Sequence, residues 1–242
     1  MITYKEYISE GITFDGEDLR FLYNDNSKDL VSTKFGKSKK FTPFVTTIEK
    51  ELKAYSLYNS RDATATLKAI KAADFSNPEV HHFIERSAIY GAKILRENPV
   101  DVIITPRSSS ELTHTFTQAL QRRTHHDYFF NQFTKNPDIS EVGIDVDHPS
   151  ITPTIIDSMT NIIAKANERE FISMRNFHPS HRKFITNLFT VVDDRLESKV
   201  SGKRVAIIDD VVTSGTTAYQ IYKILMNNGA DSVYALTLFK PS

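Results

Sequence analysis

The stretch RVAIIDDVVTSGTTAYQIYKIL, residues 204–225, constrains the fold more than any other part of the chain. Val205–Ile208 are four apolar residues in a row with no alternation, so a strand made of them must be covered on both faces. Two adjacent acids, Asp209 and Asp210, end the apolar run. Two valines follow, then a turn of hydroxyls around a glycine from Thr213 to Thr217. Ala218, Ile221, Tyr222, Leu225 and Met226 then recur at helical spacing, and Gly229 is placed to close that helix. A doubly covered strand, a tight turn and an amphipathic helix form the repeating unit of a parallel α/β sheet.

The same alternation runs through the second half of the chain. SNPEVHHFIERSAIYGAKIL offers Asn77 as an N-cap and Pro78 as the first helical residue, with Val80, Phe83, Ile84, Ala88, Gly91 and Leu95 on one face. VDVIIT, residues 100–105, has strand length. Leu112, Phe116, Ala119 and Leu120 mark the next helix, and TPTIIDSMTNIIAKANE another, capped by Thr152 with Pro153 behind it. SVYALTLF reads as a last strand. The first 75 residues differ: residues 1–40 are polar, and two helices are expected at about 43–58 and 63–73. The expected organisation is a core from 76 to 242 and an N-terminal extension or cap, mixed or helical, from 1 to 75.

Thirty basic residues balance thirty acidic ones, which speaks against a nucleic-acid partner. There is no cysteine, so disulfides, cysteine-held zinc and thiol nucleophiles are excluded. No apolar run approaches the ~18 residues of a membrane span, and MITYKEYISE resembles neither a signal nor a transit peptide. A cytoplasmic protein without membrane contact is the expectation.

The acids and the turn have separate chemical uses. Ligands of open parallel sheets bind at the carboxyl ends of the strands, where Asp209 and Asp210 fall. A helix N-terminus presents free N–H groups and a partial positive charge, which suit a phosphate. Gly215 allows close approach of the backbone, and Thr213, Ser214, Thr216 and Thr217 add hydroxyl donors. The two acids can accept from hydroxyl groups and share a cation. A ribose bearing a 5′-phosphate satisfies both halves, with its 2′- and 3′-hydroxyls on the acids.

Residues 205–217, VAIIDDVVTSGTT, resemble the phosphoribosyl-pyrophosphate (PRPP) signature of the type I phosphoribosyltransferases. The resemblance implies an α/β fold of that type, a mainly parallel twisted sheet with helices on both faces. It implies PRPP with Mg²⁺ near Asp209 and Asp210, a base-like acceptor, and a second loop for the pyrophosphate. DVIITPRSSSEL looks like that loop: the strand ends at Thr105, and Arg107, Ser108, Ser109 and Ser110 supply a fixed charge and small donors, although the usual glycine is absent. A plain serine-rich helix cap is the alternative there. A homodimer is compatible with this family.

HPSHRKFITNLFTV, before the signature, is similar to the corresponding run of ComF-type competence proteins through Arg182, Lys183, Asn187 and Phe189. Arg182 and Lys183 are therefore candidate substrate-binding residues. The likeness covers roughly residues 98–123 and 178–240. The zinc-binding cysteines of some ComF-type proteins have no counterpart. QRRTHHDYFF and MRNFHPSHRK gather Arg122, Arg123, His125, His126, Arg175, His178 and His181; one of these clusters could cover the pyrophosphate, or both could be solvated surface. Asp145 and Asp147 alternate like the polar face of a strand.

The implied reaction is displacement of pyrophosphate from ribose C1 by a nitrogen nucleophile, or its reverse, with Asp209, Asp210 and Arg107 as the catalytic set. The alternative is a PRPP-fold ligand sensor or ComF-like accessory of DNA handling without transferase activity. In 6-oxopurine enzymes of the family, an acid stands three residues after the second signature acid. Here that position is Thr213, which implies a different acceptor.

Overall fold

The structure, a computed structural model, describes residues 10–15, 18–23, 31–34, 43–60, 78–107, 111–168 and 172–241. Strands β1 (Glu10–Asp15), β2 (Asp18–Tyr23) and β3 (Val31–Lys34) pair antiparallel as a small separate sheet. The main sheet has seven strands: β4 (Phe44–Ile48), β5 (Leu52–Ser60), β6 (Val102–Pro106), β7 (Asp127–Lys135), β10 (Phe189–Val191), β11 (Arg204–Val211) and β12 (Ser232–Pro241). Between β7 and β10 in sequence, β8 (Gly143–Ile144) and β9 (Ile185–Thr186) form a two-stranded ribbon. The main order is β10-β7-β6-β11-β12-β5-β4. The strands from β7 to β5 run parallel, and the two edge strands are antiparallel to their neighbours.

β11 occupies the middle of this sheet, and its apolar run is wholly buried. Ala206 and Ile208 face one way, against α1 (Pro78–Glu97) and α2 (Glu111–Gln121), in a cluster with Phe83, Phe116, Leu236 and Phe239. Val205 and Ile207 face the other way, against α4 (Leu196–Val200) and α5 (Thr216–Asn227), through Leu196, Val200, Ile221 and Leu225. The mainly parallel sheet with helices on both faces is therefore present as expected. The foot of β11 is fixed by Arg204, whose Nε and Nη2 donate to the two Asp101 oxygens at 3.0 and 2.7 Å. That guanidinium holds the Asp101 carboxyl well below the usual carboxylate range.

The helix expected over 43–58 is instead the hairpin of β4 and β5. Its residues alternate in burial, and β5 finds a parallel partner in β12 through Leu236–Tyr55 and Thr237–Ser56; tertiary pairing overrides the local pattern. The stretch 1–75 thus contributes two strands to the core sheet, and the sheet crosses the expected boundary at 75. The helix expected at 63–73 and the Asn77 cap lie outside the described residues.

A third apolar cluster is separate from both faces of the sheet. It joins α3 (Pro153–Glu168) to the 3₁₀ turns at Met174–Asn176 and Pro179–Phe184 through Met159, Ile172, Phe177, Phe184 and Leu188. Thr152 Oγ1 accepts from Ile155 N at 3.4 Å, as an N-cap should. Asp145 and Asp147 follow β8 in a turn rather than on a strand face; Asp145 N donates to Phe184 O at 2.8 Å. The described residues of this unit, 136–168 and 172–189, form the hood of the molecule.

Candidate functional site

The carboxyl end of β11 opens into a cleft of about 80 Å³ lined by Asp209, Val211 to Ala218, Met174 and Arg182. That space holds on the order of five water-sized groups, the bulk of one phosphate. Val212 N donates to Phe239 O at 3.0 Å, which ties the turn to β12. Gly215 then adopts φ 76° and starts α5, whose Tyr219 N donates back to Gly215 O at 2.8 Å. The N–H groups of Thr216, Thr217 and Ala218 precede that bond and have no intrahelical acceptor. Glycine is required twice over here. Its φ lies in the left-handed region, and a Cβ would stand 2.7 Å from Ile48 Cδ1. Ser214 and Thr216 share a hydroxyl contact of 3.0 Å, so the turn carries its own donors in a fixed arrangement.

Asp209 and Asp210 are not equivalent. Asp209 lines the cleft, half-buried, and its Oδ1 accepts from Asp210 N at 2.9 Å. Asp210 is 8% exposed and does not line the cleft. Loss of solvent around the Asp209 carboxyl, with the charge of Asp210 second, pushes it well above the ordinary carboxylate range. Asp209 stands in register with Thr237 of β12, and Thr237 with Ser56 of β5. The Ser56 and Thr237 hydroxyls bond at 2.8 Å in the interior. The sheet therefore turns polar at this level across three strands. Sequence reasoning passed over Thr237 and Ser56; the available signal was a lone hydroxyl inside the apolar run YALTLF.

Arg182 comes to the cleft from the hood. Its Nε donates to Phe177 O at 3.2 Å, and burial lowers the pKa of its guanidinium. No acid pairs with it among the described residues, so it is a partly desolvated cation beside the turn. The hood reaches this position through Gln220 on α5, a 7% exposed side chain. Gln220 Nε2 donates to Ile185 O at 2.7 Å, and its Oε1 accepts from Leu188 N at 3.2 Å.

Lys183 and Arg107 are not part of the cleft lining. Lys183 sits over the Phe184 ring, 5.1 Å from its centroid, and does not line the cleft. Arg107 is exposed at the carboxyl end of β6, the strand beside β11; its N–H donates to Phe133 O at 2.8 Å, and it does not line the cleft. Ser108, Ser109 and Ser110 lie outside the described residues. Arg122 and Arg123 pair with Glu85 of α1 at 2.6 and 2.5 Å, which makes them a structural tie rather than a cover for a ligand. The His178 and His181 rings lie 5.1 Å apart, and His178 Nδ1 meets Ser180 Oγ at 2.8 Å. No group of three His, Cys, Asp or Glu that could hold a metal occurs among the described residues.

No family model matches the chain. A 77-residue segment, 32% of the chain, is 36% identical to the DNA utilization protein YhgH of Escherichia coli O157:H7. The match covers 30% of that protein's length. Among solved structures, a hypoxanthine phosphoribosyltransferase of Staphylococcus aureus aligns over 65% of this chain and 62% of its own, at 14% identity and a TM-score of 0.37. The hypoxanthine phosphoribosyltransferase of Trypanosoma cruzi aligns over 66% and 64%, at 12% identity and 0.35. At those scores neither structure supports an activity. No helix among the described residues is long and apolar enough to cross a membrane.

Proposed function

We propose that this protein binds PRPP, with the 5′-phosphate in the Thr213–Thr217 turn and the ribose hydroxyls at Asp209, and transfers the phosphoribosyl group to or from a nitrogen acceptor. One observation carries the reading: the carboxylate, the glycine-opened turn, the first N–H groups of α5 and an unpaired arginine line a single phosphate-sized cleft. A phosphate gains the N–H donors and the Arg182 charge, while the neighbouring carboxylate repels it and suits hydroxyl groups instead. A sugar phosphate offers both chemistries in one molecule.

In the transfer, the bond from ribose C1 to the pyrophosphate oxygen breaks, and a bond from C1 to the acceptor nitrogen forms. The electron pair leaves with pyrophosphate, and C1 passes through an oxocarbenium-like state. The chain's residues act by position and charge. The turn and Arg182 hold the 5′-phosphate, Asp209 orients the ribose, and the hood limits water. Asp210 acts from behind, through the charge it places beside Asp209. Arg107 and the serines after it are proposed for the pyrophosphate. Asp209, the acid that lines the cleft, is the carboxylate that would hold Mg²⁺ brought by the ligand, as a hard oxygen donor beside the phosphate turn; the ion would supply charge to the departing pyrophosphate.

A second reading has support from the YhgH likeness: a protein of the same fold that binds the ligand without transfer, as a sensor or an accessory of DNA handling. Incubation with PRPP, Mg²⁺ and a panel of bases, following pyrophosphate release, separates the two. Release with one base supports transfer. Tight PRPP binding without release for any base supports the second reading. Thr213 supplies no carboxylate where 6-oxopurine enzymes carry one, so hypoxanthine and guanine are expected to be inactive. A pyrimidine-like or unusual acceptor is favoured.

A further inference from the structure

The seam between the hood and α5 has a second opening. The phosphate cleft lies at the N-terminal end of α5, where Met174 and Arg182 approach it. A separate cavity of about 180 Å³ lies along the second half of the same helix. Gln220 belongs to the lining of this cavity, and it is also the side chain that bonds the hood to α5.

The cavity has a definite chemistry. Ile185, Phe189 and Ile224 give it apolar surface; Thr186, Lys223 and Asn227 give it polar groups. Asn187, at φ 56°, turns the chain between β9 and β10 and completes the hood wall. The Lys223 Nζ lies 5.1 Å from the Tyr219 ring centroid and pairs with no acid among the described residues. An apolar cavity of ~150 Å³ takes up a benzene ring. This one is slightly larger, open to solvent, and carries one cation without an acid partner among the described residues, with three amides and a hydroxyl. Its complement is a small organic anion: an apolar body about the size of one ring, bearing a carboxylate.

We infer that this cavity is a second ligand site for such an anion, and that its occupancy acts on the phosphate cleft through Gln220. A ligand there touches Ile185 and Asn187 on the hood and Gln220, Lys223 and Ile224 on α5. These residues adjoin or include Gln220, which ties Ile185 and Leu188 of the hood to α5. Anything that shifts the hood along α5 at one end changes the separation of the cleft walls at the other. The cavity itself is independent of the phosphate reading; the coupling rests on it.

The test uses benzoate, with benzyl alcohol as the uncharged control of similar shape. Isoleucine and methionine methyl resonances of the full chain are followed in titrations, and the affinity for inorganic phosphate is measured with and without benzoate. Benzoate is expected to shift Ile185 and Ile224 and to bind several-fold more tightly than benzyl alcohol. Lys223→Met should weaken it roughly tenfold, the loss of one charge-assisted contact. Phosphate affinity should change at least about threefold when benzoate saturates the wild type. Thr186→Trp, which fills the cavity, should abolish the benzoate shifts; Lys223→Met serves where that variant does not fold. Shifts confined to Met174, or equal benzoate affinity in wild type and Lys223→Met, would overturn the site. Benzoate bound at Ile224 with phosphate affinity unaltered would overturn the coupling. If phosphate itself fails to bind, the proposed function falls, while the isoleucine shifts still judge the cavity.

Discussion

The two walls of the cleft at the carboxyl end of β11 are built in different ways. The sheet-side wall comes from one continuous run, Asp209 to Ala218, in which strand, turn and helix follow one another and the Val212–Phe239 bond anchors the turn to β12. The hood-side wall is Met174 and Arg182, held by a separate apolar cluster and by one buried glutamine reaching across from α5. The first wall is rigid because β11 is pinned on both sides in mid-sheet. The second is only as fixed as the packing of the hood on α5. The difference separates a binding element that is local in sequence from one that exists only through tertiary contact. Variants in the first should destroy the site outright; variants in the second should tune it.

The largest loss is expected from Gly215→Val. A branched residue at φ 76° costs ~1–3 kcal/mol of stability, and its Cβ meets Ile48 as well. The displaced turn should no longer seat a 5′-phosphate. Calorimetry with ribose 5-phosphate should show no binding, while circular dichroism retains the sheet. A variant that still binds ribose 5-phosphate at wild-type affinity would show that the turn is not the phosphate seat.

Next in size is the acid pair. Asp209→Asn together with Asp210→Asn should weaken PRPP–Mg binding by at least ~1.5–3 kcal/mol, the charge-assisted contact of Asp209, with a smaller addition from the Asp210 charge behind it. The structure sharpens this prediction. Asp209 lines the cleft and Asp210 does not, so Asp209→Asn alone should account for the greater part. Titration of the two single variants against PRPP decides it; a larger loss at Asp210 would reverse the assignment of roles.

The hood wall should respond less. Arg182→Ala is expected to cost ~1.5–3 kcal/mol in ribose 5-phosphate binding, one charged contact, with an equal loss for PRPP because both carry the same phosphate. Arg107→Ala should behave differently: it raises the PRPP requirement and spares ribose 5-phosphate. Titrations of both ligands against both variants form a four-way comparison. A loss at Arg182 restricted to PRPP would move that residue to the pyrophosphate.

The same contrast explains what was legible in the sequence. The β11 strand, its turn and α5 were readable because burial, acid placement and helical spacing all lie within twenty-two consecutive residues. α1 and α3 were readable from their apolar stripes and proline starts, and α2 from its stripe. The β4–β5 hairpin was not: nothing local in FVTTI or LKAYSLYNS reveals that β12 offers a parallel partner. β7 was hidden by its aromatic and basic flanks, and it bends where Asn131, at φ 54°, donates its N–H to Thr105 Oγ1 at 3.0 Å. Arg182 could be nominated by resemblance, but Gln220, which bonds Ile185 and Leu188 of the hood to α5, carries no local signal. A glutamine in an amphipathic helix looks like surface until the hood is packed on it.

The smallest effect concerns the unliganded protein and tests whether the sheet wall is strained in readiness for a ligand. Burial and the charge of Asp210 raise the Asp209 pKa in the folded state. The folded protein then holds a proton more tightly than the unfolded chain does. Stability from this group is fully present below the unfolded carboxylate pKa of ~3.9 and is lost as pH rises toward the raised folded value. Asp209→Asn keeps an oxygen to accept from Asp210 N and removes the charge, so it should melt at a higher temperature than wild type at neutral pH. The gap should narrow as the pH is lowered through the acid range, because wild-type Asp209 becomes neutral there. Arg182→Ala, on the other wall, should leave this pH profile of unfolding unaltered. Thermal melts of the three proteins between pH 4 and 8 measure the effect. A destabilised Asp209→Asn at pH 7 would mean that the carboxylate is stabilised in the empty cleft, and that the cleft is relaxed rather than primed.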